Sequence, residues 1–152
     1  MSKDEIVVLD TSTIINLIDM NCLEILSKLP GFVWMTPVHV TEEIHTKTHR
    51  TQLKKALRTG YIEEVEITEF KEMEIFIRFT TRFGESADSA CLTLAQSRGW
   101  LIGSDDKAVK REAANKLGQV KIIDTRTILE EVVRRNLMDA KIAESLCKRF
   151  FL

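Results

Sequence analysis

Three observations predict a three-layer α/β fold with a central, mainly parallel sheet flanked by helices. Short apolar runs such as Ile6-Val-Val-Leu9, Phe32-Val-Trp-Met35 and Trp100-Leu-Ile-Gly103 are bounded by charged or turn residues, as buried strands are. Longer stretches with helical spacing separate them, the alternation that lays helices over both faces of a parallel sheet. Only 6 Gly and 2 Pro among 152 residues leave few turns for an all-β chain. That length predicts a single domain over residues 1–152, large enough for a real core.

The elements follow in order. Glu5-Ile-Val-Val-Leu9 reads as the first strand, with Asp10 at its carboxyl end. Helical spacing runs from Thr13 to about Leu29, broken near Asp19-Met-Asn21. After the Phe32–Met35 strand, Thr36 is placed to N-cap a helix carrying Glu42 and Glu43, with Pro37 at its first position. Tyr61-Ile-Glu-Glu-Val-Glu-Ile67 alternates like a strand with one solvated face, and Phe70 to Phe83 is helical. A helix from Ser86 to Arg98 leads into the Trp100 strand. Ser104 is then placed to cap the helix that begins Asp105-Asp106-Lys107. Gln119-Val-Lys-Ile-Ile123 reads as another strand, Asp124 as the cap of a helix to about Arg135, and Asp139 as the cap of a last one.

Composition excludes several classes. With 44% hydrophobic and 30% charged residues the chain is not disordered, and 22 basic against 23 acidic residues give no global pull toward nucleic acid. No signal peptide is recognisable at the N-terminus. The longest uncharged run, Leu29 to Thr41, is 13 residues and holds both prolines, so no membrane span is expected. Cys22, Cys91 and Cys147 form no CxxC pair and read as small buried hydrophobes, consistent with a reducing, cytoplasmic setting.

The acids are notable for position. In a parallel sheet, ligands bind beyond the carboxyl ends of the strands. Asp10 ends the first strand, Asp105 and Asp106 follow a later one, and Glu85 with Asp88 start the helix leading into it. Singly, the acids at helix starts are explained by the helix dipole. Asp10 is not, since a carboxylate at the mouth of a sheet is costly without compensation. Two such charges near 4 Å repel by about 4 kcal/mol at an effective dielectric near 20. A convergent cluster therefore needs cations or protonated carboxyls. Oxygen donors suit Mg²⁺ or Mn²⁺, whose natural chemistry is phosphodiester hydrolysis.

Four blocks then resemble PIN-domain nucleases, the group that includes VapC toxins and ribosomal-RNA maturation endonucleases. They are Val8-Leu-Asp-Thr-Ser-Thr-Ile-Ile-Asn16, Thr36-Pro-Val-His-Val-Thr-Glu-Glu-Ile44, Gly84-Glu-Ser-Ala-Asp-Ser-Ala-Cys-Leu-Thr-Leu-Ala95 and Leu101-Ile-Gly-Ser-Asp-Asp-Lys-Ala-Val-Lys110. They stand in the family's order. The resemblance implies a Mg²⁺- or Mn²⁺-dependent endoribonuclease with Asp10, Glu43, Asp88 and Asp106 as its acids. Glu85 is an alternative to Asp88, Asp105 is a second candidate for the role of Asp106, and Ser12 matches the hydroxyl kept beside the metal. For a stand-alone domain of this size it implies a VapC-type toxin with an antitoxin partner, often a homodimer. A housekeeping nuclease of rRNA or tRNA processing is the second version.

A haloacid-dehalogenase-type phosphatase also places Asp after its first strand, but requires a second acid where Ser12 stands. A non-catalytic scaffold binding RNA or protein is the remaining alternative. Lys107, Lys110 and Arg111 are the expected phosphate contacts, beside Asp106 at a helix N-terminus. The basic run 45–59 is the reserve surface. His45 and His49 are spaced for one helix face but lack a third zinc ligand. Trp34 and Trp100 read as core.

Overall fold

The computed structural model describes residues 4–151. In order, the elements are β1 (Glu5–Leu9), α1 (Thr11–Asp19), β2 (Phe32–Pro37), α2 (Val38–Glu43), α3 (Lys47–Thr59), β3 (Ile62–Val65) and α4 (Phe70–Phe83). Then come α5 (Ala87–Arg98), β4 (Leu101–Gly103), α6 (Lys107–Lys116), β5 (Ile122–Ile123), α7 (Thr125–Arg134) and α8 (Ala140–Phe151). Two 3-10 turns, Leu23–Lys28 and Gln119–Lys121, complete the path.

The strands form one sheet in the order β3-β2-β1-β4-β5, and every pairing is parallel. The chain therefore winds outward from β1 to β3, then returns to β4 and winds the other way. Right-handed crossovers put α1 and α3 on one face, and the reversal moves α4, α5 and α6 to the other. The crevice of such a sheet opens where the direction changes, between β1 and β4. Their register is Val7 on Leu101, Val8 on Ile102 and Leu9 on Gly103, and the Asp10 amide continues the ladder to the Gly103 carbonyl at 2.9 Å.

Close packing at this centre is dictated by small and apolar residues. Val7, Val8 and Leu9 are fully buried, and α5 packs on β1, β2 and β4. The helix α5 is buried from Ala87 through Ala95 with the sole exception of Asp88, so its pattern is not the one-sided stripe its spacing suggests. Gly103 sits at a close approach: a Cβ there would lie 2.7 Å from Leu9 Cδ2, so the buried Leu9 side chain would have to shift.

Three local expectations are corrected. Strand β2 runs on through Pro37, which pairs with Val65, and the Thr36 hydroxyl donates to the Leu9 carbonyl at 3.1 Å instead of capping α2. Asp106, not Ser104, caps α6, accepting from the Val109 amide at 2.9 Å. Residues 119–121 form a 3-10 turn, leaving only Ile122–Ile123 as strand, because Val120 projects into solvent and finds no sheet neighbour. Trp34 is core, its indole donating to the Leu26 carbonyl, whereas Trp100 is half-buried beneath the Arg98 guanidinium.

One buried charge ties α4 to α5. Glu72, 2% exposed, accepts from Arg98 Nε and Ser97 Oγ at 2.7 Å each, which holds its carboxyl down at about 2. Replacing Arg98 with Ala strands that carboxylate, and denaturant titration is expected to show a loss of about 2–3 kcal/mol, the pair lying near the surface on its Arg side. An unchanged midpoint would mean that the pair contributes nothing net.

Candidate active site

Asp10 stands at the carboxyl end of β1, where the apolar run Val7–Leu9 delivers it to the β1/β4 crevice fully buried. It is also the N-cap of α1. Its Oδ1 accepts from the Thr13 amide at 3.1 Å and the Ser12 hydroxyl at 2.7 Å, and its Oδ2 accepts from Ser104 Oγ. Burial nonetheless pushes its carboxyl up to about 6; the Ser104, Ser12 and Thr13 bonds pull it down, and Asp88 adds to the rise. Ser104 Oγ also accepts from the Asp106 amide at 3.1 Å, so one hydroxyl links the ends of β1 and β4.

Glu43 closes α2 and is held from both sides. Thr11 Oγ1 donates to its Oε2 at 3.0 Å and the Ala87 amide to its Oε1 at 2.8 Å. Those donors are the neighbours of Asp10 and Asp88, so the acid of α2 is fastened between the two. Asp88 lies in the first turn of α5. Partial burial, and then the charges of Asp106 and Glu43, push its carboxyl up to about 6. The buried Cys91 thiol, donating to the Leu9 carbonyl, is raised well above its ordinary value by burial and then by Asp10, Asp88 and Glu43.

The structure thus sets Asp88 against the charges of Asp106 and Glu43, and Asp10 against that of Asp88. Among the described residues, none of the four is in an ion pair. Glu85 is exposed in the loop before α5 and joins none of these contacts. Asp105 is engaged elsewhere: Asn16 Nδ2 donates to it at 2.6 Å, and Thr125 donates through its amide at 2.8 Å and its hydroxyl. Its carboxylate fastens α1 and α7 to the end of β4.

The expected phosphate contacts separate. Lys107 and Arg111 are exposed on α6, but Lys110 Nζ lies 3.2 Å from Asp124 Oδ2. The histidines do not pair: His49 Nε2 sits 2.7 Å from Asp19 Oδ1, and His45 lies outside α3. Thr11, Asn16, Ala87, Ser104 and Thr125 orient the acids, a role that sequence reasoning misses. Only Thr11 and Asn16 carry a signal for it, as hydroxyl and amide within one helical turn or two of Asp10.

Whether these residues fit a divalent cation is decided by their chemistry. Among the described residues no three His, Cys, Asp or Glu side chains stand close enough together to hold a metal ion as they are placed. The set is nevertheless all oxygen, without an ion-pair partner among the described residues, and backed by hydroxyl and amide donors that fix Asp10 and Glu43. Those are the features of a hard-cation site.

The fold is a three-layer α/β domain with acids at the mouth of its β1/β4 crevice. A family model described as PIN domain matches residues 6–148, and the chain belongs to that family. PIN-domain proteins are generally nucleases that use divalent metal ions and act on nucleic acid. No curated protein sequence matches the chain. Among the described residues no helix is long and apolar enough to cross a membrane.

Proposed function

We propose that the protein is an endoribonuclease that hydrolyses RNA phosphodiester bonds with Mg²⁺ or Mn²⁺ held by Asp10, Glu43, Asp88 and Asp106. The observation that carries the reading is the buried Asp10 carboxyl, raised to about 6 and facing further acids, none of them in an ion pair among the described residues. When bound, such an ion activates water and stabilises charge on the departing oxygen.

The chain's own residues supply orientation. Ser12, Thr13 and Ser104 hold Asp10, while Thr11 and Ala87 hold Glu43, so that the acids are fixed before substrate arrives. Asp105 serves as a brace, and Glu85 is left out. A phosphatase of the haloacid-dehalogenase type would need an acid at position 12, where the Ser12 hydroxyl instead donates to Asp10. Lys107 and Arg111 grip RNA phosphates from the N-terminal half of α6, whose dipole adds to the attraction.

In its finer form the reading is a VapC-type toxin, a single domain working in the cytoplasm as a homodimer and restrained by an antitoxin. Its support is the resemblance of the four sequence blocks. An adjacent small gene whose product copurifies with the chain and blocks cleavage tests it; cleavage of an rRNA or tRNA precursor with no such gene favours the processing role.

The substrate face is tested by salt. RNA affinity measured in Ca²⁺, to suppress cleavage, is expected to weaken when Lys107 and Arg111 become Ala. The slope of log affinity on log salt should fall by about one for each phosphate no longer neutralised. Lys110→Ala is expected to leave the slope alone and loosen the α6–α7 junction, because its charge is already engaged by Asp124. Equal slopes for wild type and the Lys107/Arg111 variant would move the RNA-binding surface to α3.

A further inference from the structure

The peptide that leads into Asp10 lacks one rung of the sheet ladder. Glu5 is registered on Phe32 and its amide donates to the Gly31 carbonyl at 2.8 Å, so Glu5, Val7 and Leu9 turn their backbone groups toward β2. Continued by one pair, that register sets Leu9 beside Thr36, and the next amide in line for the Leu9 carbonyl is that of residue 37. Residue 37 is proline and has no N–H to give. Leu9 is fully buried, and a stranded acceptor there is costly.

Two side chains fill the gap. The Thr36 hydroxyl donates to the Leu9 carbonyl at 3.1 Å and the Cys91 thiol at 3.6 Å, both from fully buried residues. Each belongs to a segment that carries another acid. Thr36 stands near the end of β2, which runs directly into α2 and Glu43. Cys91 follows Asp88 by three positions on α5, close to one turn along the same side of the helix. Burial first, and then the charges of Asp10, Asp88 and Glu43, raise the Cys91 thiol, so it lies within reach of all three. One acceptor at the root of Asp10 thus gathers β1, β2 and α5, as Ser104 joins β1 to β4.

We propose that Thr36 and Cys91 are positioning residues: through the Leu9 carbonyl they fix how Asp10, Glu43 and Asp88 stand toward one another, and hence how tightly these acids hold a divalent cation. Pro37 has a part as well, since by withholding an amide it leaves the carbonyl to the two side chains. The proposal rests on the metal-dependent reading of the site.

Leu9–Asp10 is the only Leu–Asp step in the sequence, so the full chain isotope-labelled at leucine carbonyls and aspartate amide nitrogens reports this one peptide by NMR without metal. Calorimetry on the same proteins gives the Mn²⁺ affinity. Thr36→Val combined with Cys91→Ala is expected to move the Leu9 carbonyl signal and to weaken Mn²⁺ binding by about 10–100-fold, each change alone by less. Thr36→Ser, which keeps the donor, should recover most of what Thr36→Val loses. Pro37→Ala added to the double variant supplies the missing amide and should return both the signal and most of the affinity, which lost packing alone would not allow. Far-ultraviolet circular dichroism checks that each variant is folded; if the double variant is not, Thr36→Val, nearly unchanged in shape, carries the same comparison against Thr36→Ser. A carbonyl signal that stays in place, or a loss of affinity that the restored donor leaves in full, overturns the proposal. Variants that bind Mn²⁺ as well as wild type reject only the positioning role, whereas a wild type that binds no Mn²⁺ rejects the metal reading and the role built on it.

Discussion

Asp10→Asn is expected to reduce metal-dependent RNA cleavage by more than about a hundredfold, since even residues that merely orient a metal ligand are worth about 10–100-fold. The substitution keeps the shape and the oxygen that caps α1, which accepts from Thr13 and Ser12. Ser104 loses an acceptor but can rotate its hydroxyl, and it still receives the Asp106 amide. The fold should therefore persist, and calorimetry without metal should show a melting temperature equal to or above that of wild type. A variant that unfolds readily while its folded fraction cleaves at the normal rate would make Asp10 a structural residue and remove the site.

The same pair of proteins is expected to differ in how stability follows pH. In wild type the folded Asp10 carboxyl titrates at about 6 against an ordinary 3.8, so between those values the folded state binds more protons than the unfolded one. Stability from this group is then greatest at low pH and is lost as pH rises through 6. Asp88 acts in the same direction, weakened by its partial exposure, and the two titrate as a coupled set. Glu72 and the other carboxyls held low act oppositely, but they cancel when wild type is compared with Asp10→Asn. Without metal, wild type should lose on the order of 5 °C in melting temperature relative to the variant between about pH 4 and pH 7. Mg²⁺ or Mn²⁺ should return that loss at neutral pH and give little to the variant. Parallel melting curves for the two proteins, with and without metal, would sink the account of a repelling acid cluster.

Most of the architecture is legible because buried parallel strands write themselves as unbroken apolar runs. The β1 boundaries, the break after Asp19 and the cap at Asp124 all follow from local signals. Sequence misleads where a distant partner decides the outcome. Thr36 has the chemistry of a cap, but its hydroxyl is taken by Leu9, 27 positions away. Alternation at 119–123 suggests a strand, yet nothing lies beside Val120. Asp105 and Asp106 look alike in sequence and are set apart by Asn16 and Thr125, which take the Asp105 carboxylate; Glu85 and Asp88 are set apart by where α5 begins, which leaves Glu85 exposed in the preceding loop. Lys110 likewise looks equivalent to Lys107 in sequence, and only Asp124 sets it apart.

The central place of β1 in the order β3-β2-β1-β4-β5 has a consequence for synthesis. On a ribosome the first three strands emerge together and can pair, carrying Asp10 and Glu43 while Asp88 and Asp106 are still untranslated. One edge of β1 stays bare until β4 arrives, and the Ser104–Asp10 contact closes a separation of 94 residues. Closure of so long a loop comes late, because its entropy is spent before the contact gives anything back. If the four acids form the proposed cleavage centre, the nascent chain is expected to be inactive until β4 docks, and on heating the centre should vanish with the whole molecule, not before it.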